Sequence, residues 1–238
     1  MLKITLIGLI VISLVSVGAT FFKQNKDISN NTQPTPKKLS YAALGDSYTI
    51  GQGISKNDRW PNQLVEMLVK NGVELELVAN PSVTGYTTLD LIREELDEVR
   101  NNQPDFITIQ IGVNDYFQGY SEVDFSMNFK TVLTEVKTIS PTSKILLVTV
   151  PDYGKTPTGG QTDNPEQTNV GVKKFNDIIK GYGVEFSIPV ADIFDISLQS
   201  GDKPHFTAND GLHPSAQQYR AWLEVIQPKA LEILKPSV

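Results

Sequence analysis

Cysteine is absent from this chain, and histidine occurs only twice, at His205 and His213. The first absence excludes disulfides, thiolate catalysis, cysteine-ligated zinc and a lipid-modified cysteine anchor. It also leaves no thiol to be damaged in an oxidising compartment. The second leaves two imidazoles as the whole supply of side chains that ordinarily change charge near neutral pH. Positive charge is scarce as well. Setting aside Lys3, Lys23, Lys26, Lys37, Lys38 and Asp27 leaves 16 basic and 26 acidic residues, a net of -10 over residues 39–238, against -6 for the whole chain. A domain that acidic repels a phosphate backbone, so no nucleic-acid partner is expected. No internal repeat is visible.

What is present suits one domain: 238 residues, ten phenylalanines and two tryptophans are enough for a sizeable core. Residues 4–22 are almost wholly apolar and follow Lys3. Two readings stand. As a signal peptide, Lys3 is the charged start, residues 4–15 the apolar stretch and Val17-Gly18-Ala19 the cleavage region. As an uncleaved anchor, the same segment rises roughly 28 Å, just enough to span a bilayer core. Lysines on both sides leave its orientation open. Residues 23–38, rich in Asn, Thr and Pro, read as a polar linker to a domain over 39–238. The expected location is extracytoplasmic, secreted or held on the outer face of the membrane through residues 4–22. The domain itself is expected to be a monomer that does not need residues before Leu39.

From Leu39 short apolar runs alternate with longer amphipathic ones. Strands are expected at 39–44, 73–79, 105–111, 144–150 and 185–193. Helices are expected at 59–72, 87–100, 125–139, 170–183 and 215–234, the last bent or restarted near Pro228. Regular alternation predicts a three-layer α/β/α sandwich on a mostly parallel, five-stranded sheet. The Pro-, Gly- and Asn-rich stretch 151–169 is expected to be a loop after a central strand, where open sheets place ligand contacts.

Chemistry-bearing residues collect at one edge of that sheet. Ser47 follows the first strand in Gly45-Asp46-Ser47, Gly85 the second, and Asn114 the third in Gly112-Val113-Asn114-Asp115. Asp210 and His213 precede the last helix in Asp210-Gly211-Leu212-His213-Pro214. Each tripeptide alone has a plain structural reading as a turn, an Asx bond or a helix start. Their joint placement on one crevice is far more specific. A serine hydroxyl needs a base, and His213, with an acid three residues before it, is the better of the two imidazoles. His205 reads as a loop or rim residue, and Asp46 and Asp115 as structural.

The blocks GDSYTIG (45–51), NPSVTGYTT (80–88), IGVND (111–115) and DGLHP (210–214) resemble the SGNH hydrolase family, the GDSL-type esterases and lipases. The resemblance runs in block order over most of 41–233. Tyr48 departs from the leucine of the family's name, at a position that is not catalytic there. VPDYGKTP (150–157) resembles a loop of some bacterial members more loosely. The resemblance implies a flavodoxin-like α/β fold with Ser47 as nucleophile, His213 as base and Asp210 orienting it. The oxyanion would be bound by the N–H groups of Ser47 and Gly85 and the amide of Asn114. The implied reaction is hydrolysis of a small-molecule, lipid or acetylated-sugar ester without cofactor or metal. A carbohydrate deacetylase and a non-catalytic binding module are the alternatives, and the intact base-and-acid pair argues against the second.

Overall fold

A computed structural model describes residues 38–162 and 164–235. The apolar segment 4–22 and nearly all of the linker therefore lie outside the described residues. Among those described, no helix is long and apolar enough to cross a membrane.

Five parallel strands form one sheet in the order β2-β1-β3-β4-β5: β1 Leu39–Gly45, β2 Leu75–Ala79, β3 Phe106–Gln110, β4 Lys144–Val148 and β5 Val190–Ala191. Strands β3 and β4 are almost wholly buried, which is why Ile107, Ile109, Leu146 and Leu147 form near-continuous apolar runs. The helices are α1 Ser47–Ile50, α2 Trp60–Lys70, α3 Thr88–Asp90, α4 Leu96–Asn102, α5 Val113–Phe117, α6 Glu122–Ile139, α7 Gly159–Thr162, α8 Pro165–Glu185, α9 Phe194–Ser197 and α10 Ala216–Leu234. Helix α10 packs on α2 and β4, while α6 packs against α4 and α8, so the sheet is covered on both sides. Phe125 of α6 stacks on Phe175 of α8 with ring centroids 4.2 Å apart. Tyr219 and Trp222 of α10 are fully buried at helical spacing with Ile226 and Ala230.

Four local expectations need correction. The fifth strand, expected as a short strand and its exit over 185–193, is only Val190–Ala191. Helix α8 runs on to Glu185, Ser187 takes a left-handed turn (φ +55°), and Pro189 has no N–H to give the sheet. Stretch 151–169 is not a loop throughout. Asn164 caps α8 by accepting from the Glu166 and Gln167 N–H groups, and Pro165 sits at its first position, so the helix begins five residues early. Leu91–Glu95 forms a π-helical turn between α3 and α4. Finally, α10 continues through Pro228: both Pro228 and Glu224, whose carbonyl loses its partner, face solvent.

Candidate active site

Ser47 is the first residue of α1, at the carboxyl end of β1. The turn that presents it is tight. A Cβ on Gly45 would collide with the Gln110 carbonyl oxygen and Thr49 Oγ1, so only glycine lets β1 enter the turn. Asp46 caps α1, its Oδ1 accepting from the Tyr48 N–H at 2.9 Å. The Tyr219 hydroxyl donates to the Tyr48 carbonyl at 2.8 Å, tying the turn to α10.

His213 enters from the opposite side. Its Nδ1 lies 2.7 Å from Asp210 Oδ2, while Asp210 Oδ1 accepts from the Leu212 and His213 N–H groups at 2.9 Å each. Burial raises the Asp210 carboxyl's pKa, but these donors and the imidazole outweigh it, and the group stays below its ordinary value. A carboxylate held ionised against Nδ1 leaves Nε2 as the nitrogen that can take a proton. The 151–162 stretch clamps this turn from outside: Thr158 donates from Oγ1 to the Asp210 carbonyl at 2.8 Å and from its N–H to the Gly211 carbonyl at 2.9 Å.

Ser47, Asn114 and His213 line one cavity of about 180 Å³ with Tyr48, Val113, Phe117, Tyr153, Thr158 and Leu212. Thus the serine and imidazole share a wall, though no hydrogen bond joins them among the described residues. Such bonds commonly tighten only when substrate is bound. The Asn114 amide donates to the Tyr86 carbonyl at 2.9 Å and lies 3.4 Å from Asp46 Oδ2. Gly85 adjoins Tyr86 and takes φ +87°, a left-handed conformation that demands glycine. It is exposed and is not on the cavity wall. His205 is exposed, sits edge-on to Phe206, and does not reach the cavity.

Around the site four carboxyls, those of Asp46, Glu95, Asp115 and Asp152, are fully buried. Asp115 accepts from the Thr88 N–H at 3.0 and 3.2 Å and from the Thr88 hydroxyl, which ties α5 to α3. Burial raises its pKa against those donors. Glu95, missed entirely, is fully buried on the π-helical turn, and its Oε2 accepts from the Gly45 N–H at 3.0 Å. Its other oxygen has no hydrogen-bond partner among the described residues. Burial pushes its pKa well up. Glu95 lies four residues from both Leu91 and Val99, on the buried face of the helix, so its helical position alone places it inward. Among the described residues no group of three or more His, Asp or Glu is placed to hold a metal ion.

A parallel α/β sheet thus carries Ser47 on the turn after β1 and sets it on one cavity wall with His213, which pairs with Asp210. The chain belongs to the GDSL-like lipase/acylhydrolase family, whose profile matches residues 43–221, and it spans less than two thirds of the length of the first curated relatives it matches. It is 29% identical over 138 residues to a multidomain esterase of Ruminococcus flavefaciens, covering 55% of this chain but 16% of that protein. To the thioesterase 1/protease 1/lysophospholipase L1 of Escherichia coli K12 it is 24% identical over 190 residues, 78% of this chain and 82% of that one. The crystal structure of a lipase/acylhydrolase from Enterococcus faecalis superposes with a TM-score of 0.67 at 22% identity, covering 84% of this chain and 99% of that one. The fold expectation is thereby met.

Proposed function

We propose that the protein cleaves carboxylic esters through an acyl-enzyme, with Ser47 as nucleophile, His213 as base and acid, and Asp210 as the group that orients His213. The observation that carries this reading is the common cavity wall of Ser47, Asn114 and His213, with His213 Nδ1 2.7 Å from Asp210. His213 Nε2 takes the Ser47 proton as Oγ attacks the ester carbonyl. The tetrahedral oxyanion is held by the Ser47 N–H group and by the Asn114 amide, whose proton not given to Tyr86 is only loosely engaged by Asp46, while Gly85, off the cavity wall, supplies the turn that sets the Tyr86 carbonyl against Asn114. Collapse expels the alcohol with the proton from His213, and water then repeats the sequence on the acyl-enzyme.

Removal of acetyl groups from a carbohydrate uses the same chemistry. It is favoured by the cavity's volume of about 180 Å³, below the roughly 300–1,000 Å³ of sites that enclose drug-sized ligands. Phosphonate labelling tests the nucleophile. A fluorophosphonate should modify Ser47 in the wild type and nothing in Ser47→Ala, whose turnover should fall at least about a thousandfold. Modification of another serine sinks the assignment.

A further inference from the structure

Ser47 and His213 line one cavity, yet no hydrogen bond joins them among the described residues, so packing sets the imidazole against the serine. Asp210 fixes that imidazole at one point. Its Oδ2 is 2.7 Å from Nδ1, and the ring can still tilt about this contact, carrying Nε2 towards Ser47 or away from it.

Tyr48 bears on that tilt. It is buried, lines the same cavity, and its ring lies against the imidazole with centroids 5.3 Å apart and planes at 49°. Rings at such a spacing attract one another beyond the area they bury. Tyr48 is itself held from three directions. Its N–H donates to Asp46 Oδ1 at 2.9 Å, its carbonyl accepts from the Tyr219 hydroxyl at 2.8 Å, and its ring packs on Trp222 with centroids 6.4 Å apart. Trp222 in turn meets Tyr219 edge to face at 5.0 Å, and both are fully buried on α10. The imidazole thus rests at the end of a row of rings rooted in the last helix. The Tyr48 hydroxyl has no hydrogen-bond partner among the described residues, so what this side chain gives its surroundings is the ring.

We propose that Tyr48 is a positioning residue for the base: its ring holds the His213 imidazole in the orientation from which Nε2 takes the Ser47 proton. The inference rests on the reading of Ser47, His213 and Asp210 as the ester-cleaving group. Tyr48 forms no bond in the reaction and passes no proton. What it changes is the fraction of molecules whose base is already aimed when the ester arrives. One aromatic contact is worth about three- to tenfold in such a fraction. The turn that presents the nucleophile therefore also steadies its base, because the ring belongs to the very next residue. The leucine of the family's name has no ring to offer there, so the departure at Tyr48 gives this chain a support for His213 that leucine does not supply.

Tyr48→Phe keeps the ring and Tyr48→Leu removes it. On p-nitrophenyl acetate, Tyr48→Leu should lower kcat by about three- to tenfold with KM changed less than about twofold, while Tyr48→Phe stays within about twofold of the wild type in both. Proton NMR reads the contact directly, because the chain has only two histidines and so two sets of imidazole signals. Those of His213 should shift in Tyr48→Leu and keep their places in Tyr48→Phe. Those of His205, which lies against Phe206, should move in neither. Tyr48→Met fills the space without a ring and should behave as Tyr48→Leu, so the comparison stands even where the leucine variant does not fold. A phenylalanine variant as slow as the ringless ones assigns the effect to the hydroxyl and overturns the proposal. So do wild-type kcat in the ringless variants, a loss confined to KM, or His213 signals that stay where they were. Fluorophosphonate labelling separates this idea from the reading beneath it. A wild type labelled at Ser47, beside ringless variants labelled at the same rate, overturns the positioning role alone. A wild type not labelled at Ser47 overturns the triad and the positioning role with it.

Discussion

Replacing Asp46 with asparagine tests how the nucleophile's turn is held. Asp46 is wholly buried, accepts from the Tyr48 N–H through Oδ1, and its Oδ2 lies 3.4 Å from the Asn114 amide. No lysine or arginine pairs with it among the described residues. Burial raises its pKa from 3.8 to about 7; the Tyr48 N–H pulls it down and the Asp115 carboxyl adds a further rise. At 1.36 kcal/mol per pH unit, that interval is worth about 4 kcal/mol. The folded protein holds a proton that the unfolded chain has released. The contribution is therefore fully present below about 3.8, is lost as pH climbs towards about 7, and is flat beyond. Asparagine has nothing to release, and its Oδ1 can still accept from Tyr48. Urea unfolding, followed by the fluorescence of buried Trp60 and Trp222, should be measured for both proteins at pH 4, 6 and 8. Wild-type stability should fall relative to Asp46→Asn by up to about 4 kcal/mol over that range. Glu95 and Asp115 are common to both proteins, and the Asp46 charge that raises the Glu95 pKa and couples to Asp115 is absent only from the variant, so their small share adds to the same difference. Parallel stability curves would refute the claim that Asp46 takes up a proton on folding.

Three further outcomes are expected. His213→Ala should cost about three orders of magnitude in kcat, and His205→Ala less than about twofold, by ester hydrolysis at pH 8; the reverse ranking would reassign the base. Asn114→Ala should lower kcat by roughly 10²–10³ with KM little changed, since an oxyanion bears full charge only after attack; a raised KM with unaltered kcat would make Asn114 a substrate-binding residue. Glu95→Gln keeps an acceptor for the Gly45 N–H and should lose less stability than Glu95→Leu, which leaves that donor unpaired at about 1–3 kcal/mol. A leucine variant with the higher Tm would show that Glu95 is not needed to hold the turn.

Much of the site was legible because its parts follow strands. A serine after β1, an asparagine after β3 and an Asp-x-x-His before α10 must share an edge once the strands are parallel. The start of α8 was legible too, in Asn164-Pro165-Glu166, but loop-like composition hid it. Glu95 was not. It shares the buried face of Leu91 and Val99 at i±4, but a carboxylate on a helix reads as a solvent-facing residue, and only the tertiary structure brings the Gly45 N–H to it.

By itself the sequence determined the strand–helix alternation, the parallel sheet that follows from it, and which residues could serve as nucleophile, base, acid and oxyanion donor. Those follow from periodicity and residue chemistry, which act over a few residues at a time. Only the tertiary structure decided that Thr158 clamps the Asp210–His213 turn, that Asp46 and Tyr86 together orient Asn114, and that Phe117 and Tyr153 close one wall of the serine's cavity. Such contacts join segments tens of residues apart. Their distances depend on how helices pack across the sheet, a sum over the whole core that no local pattern records.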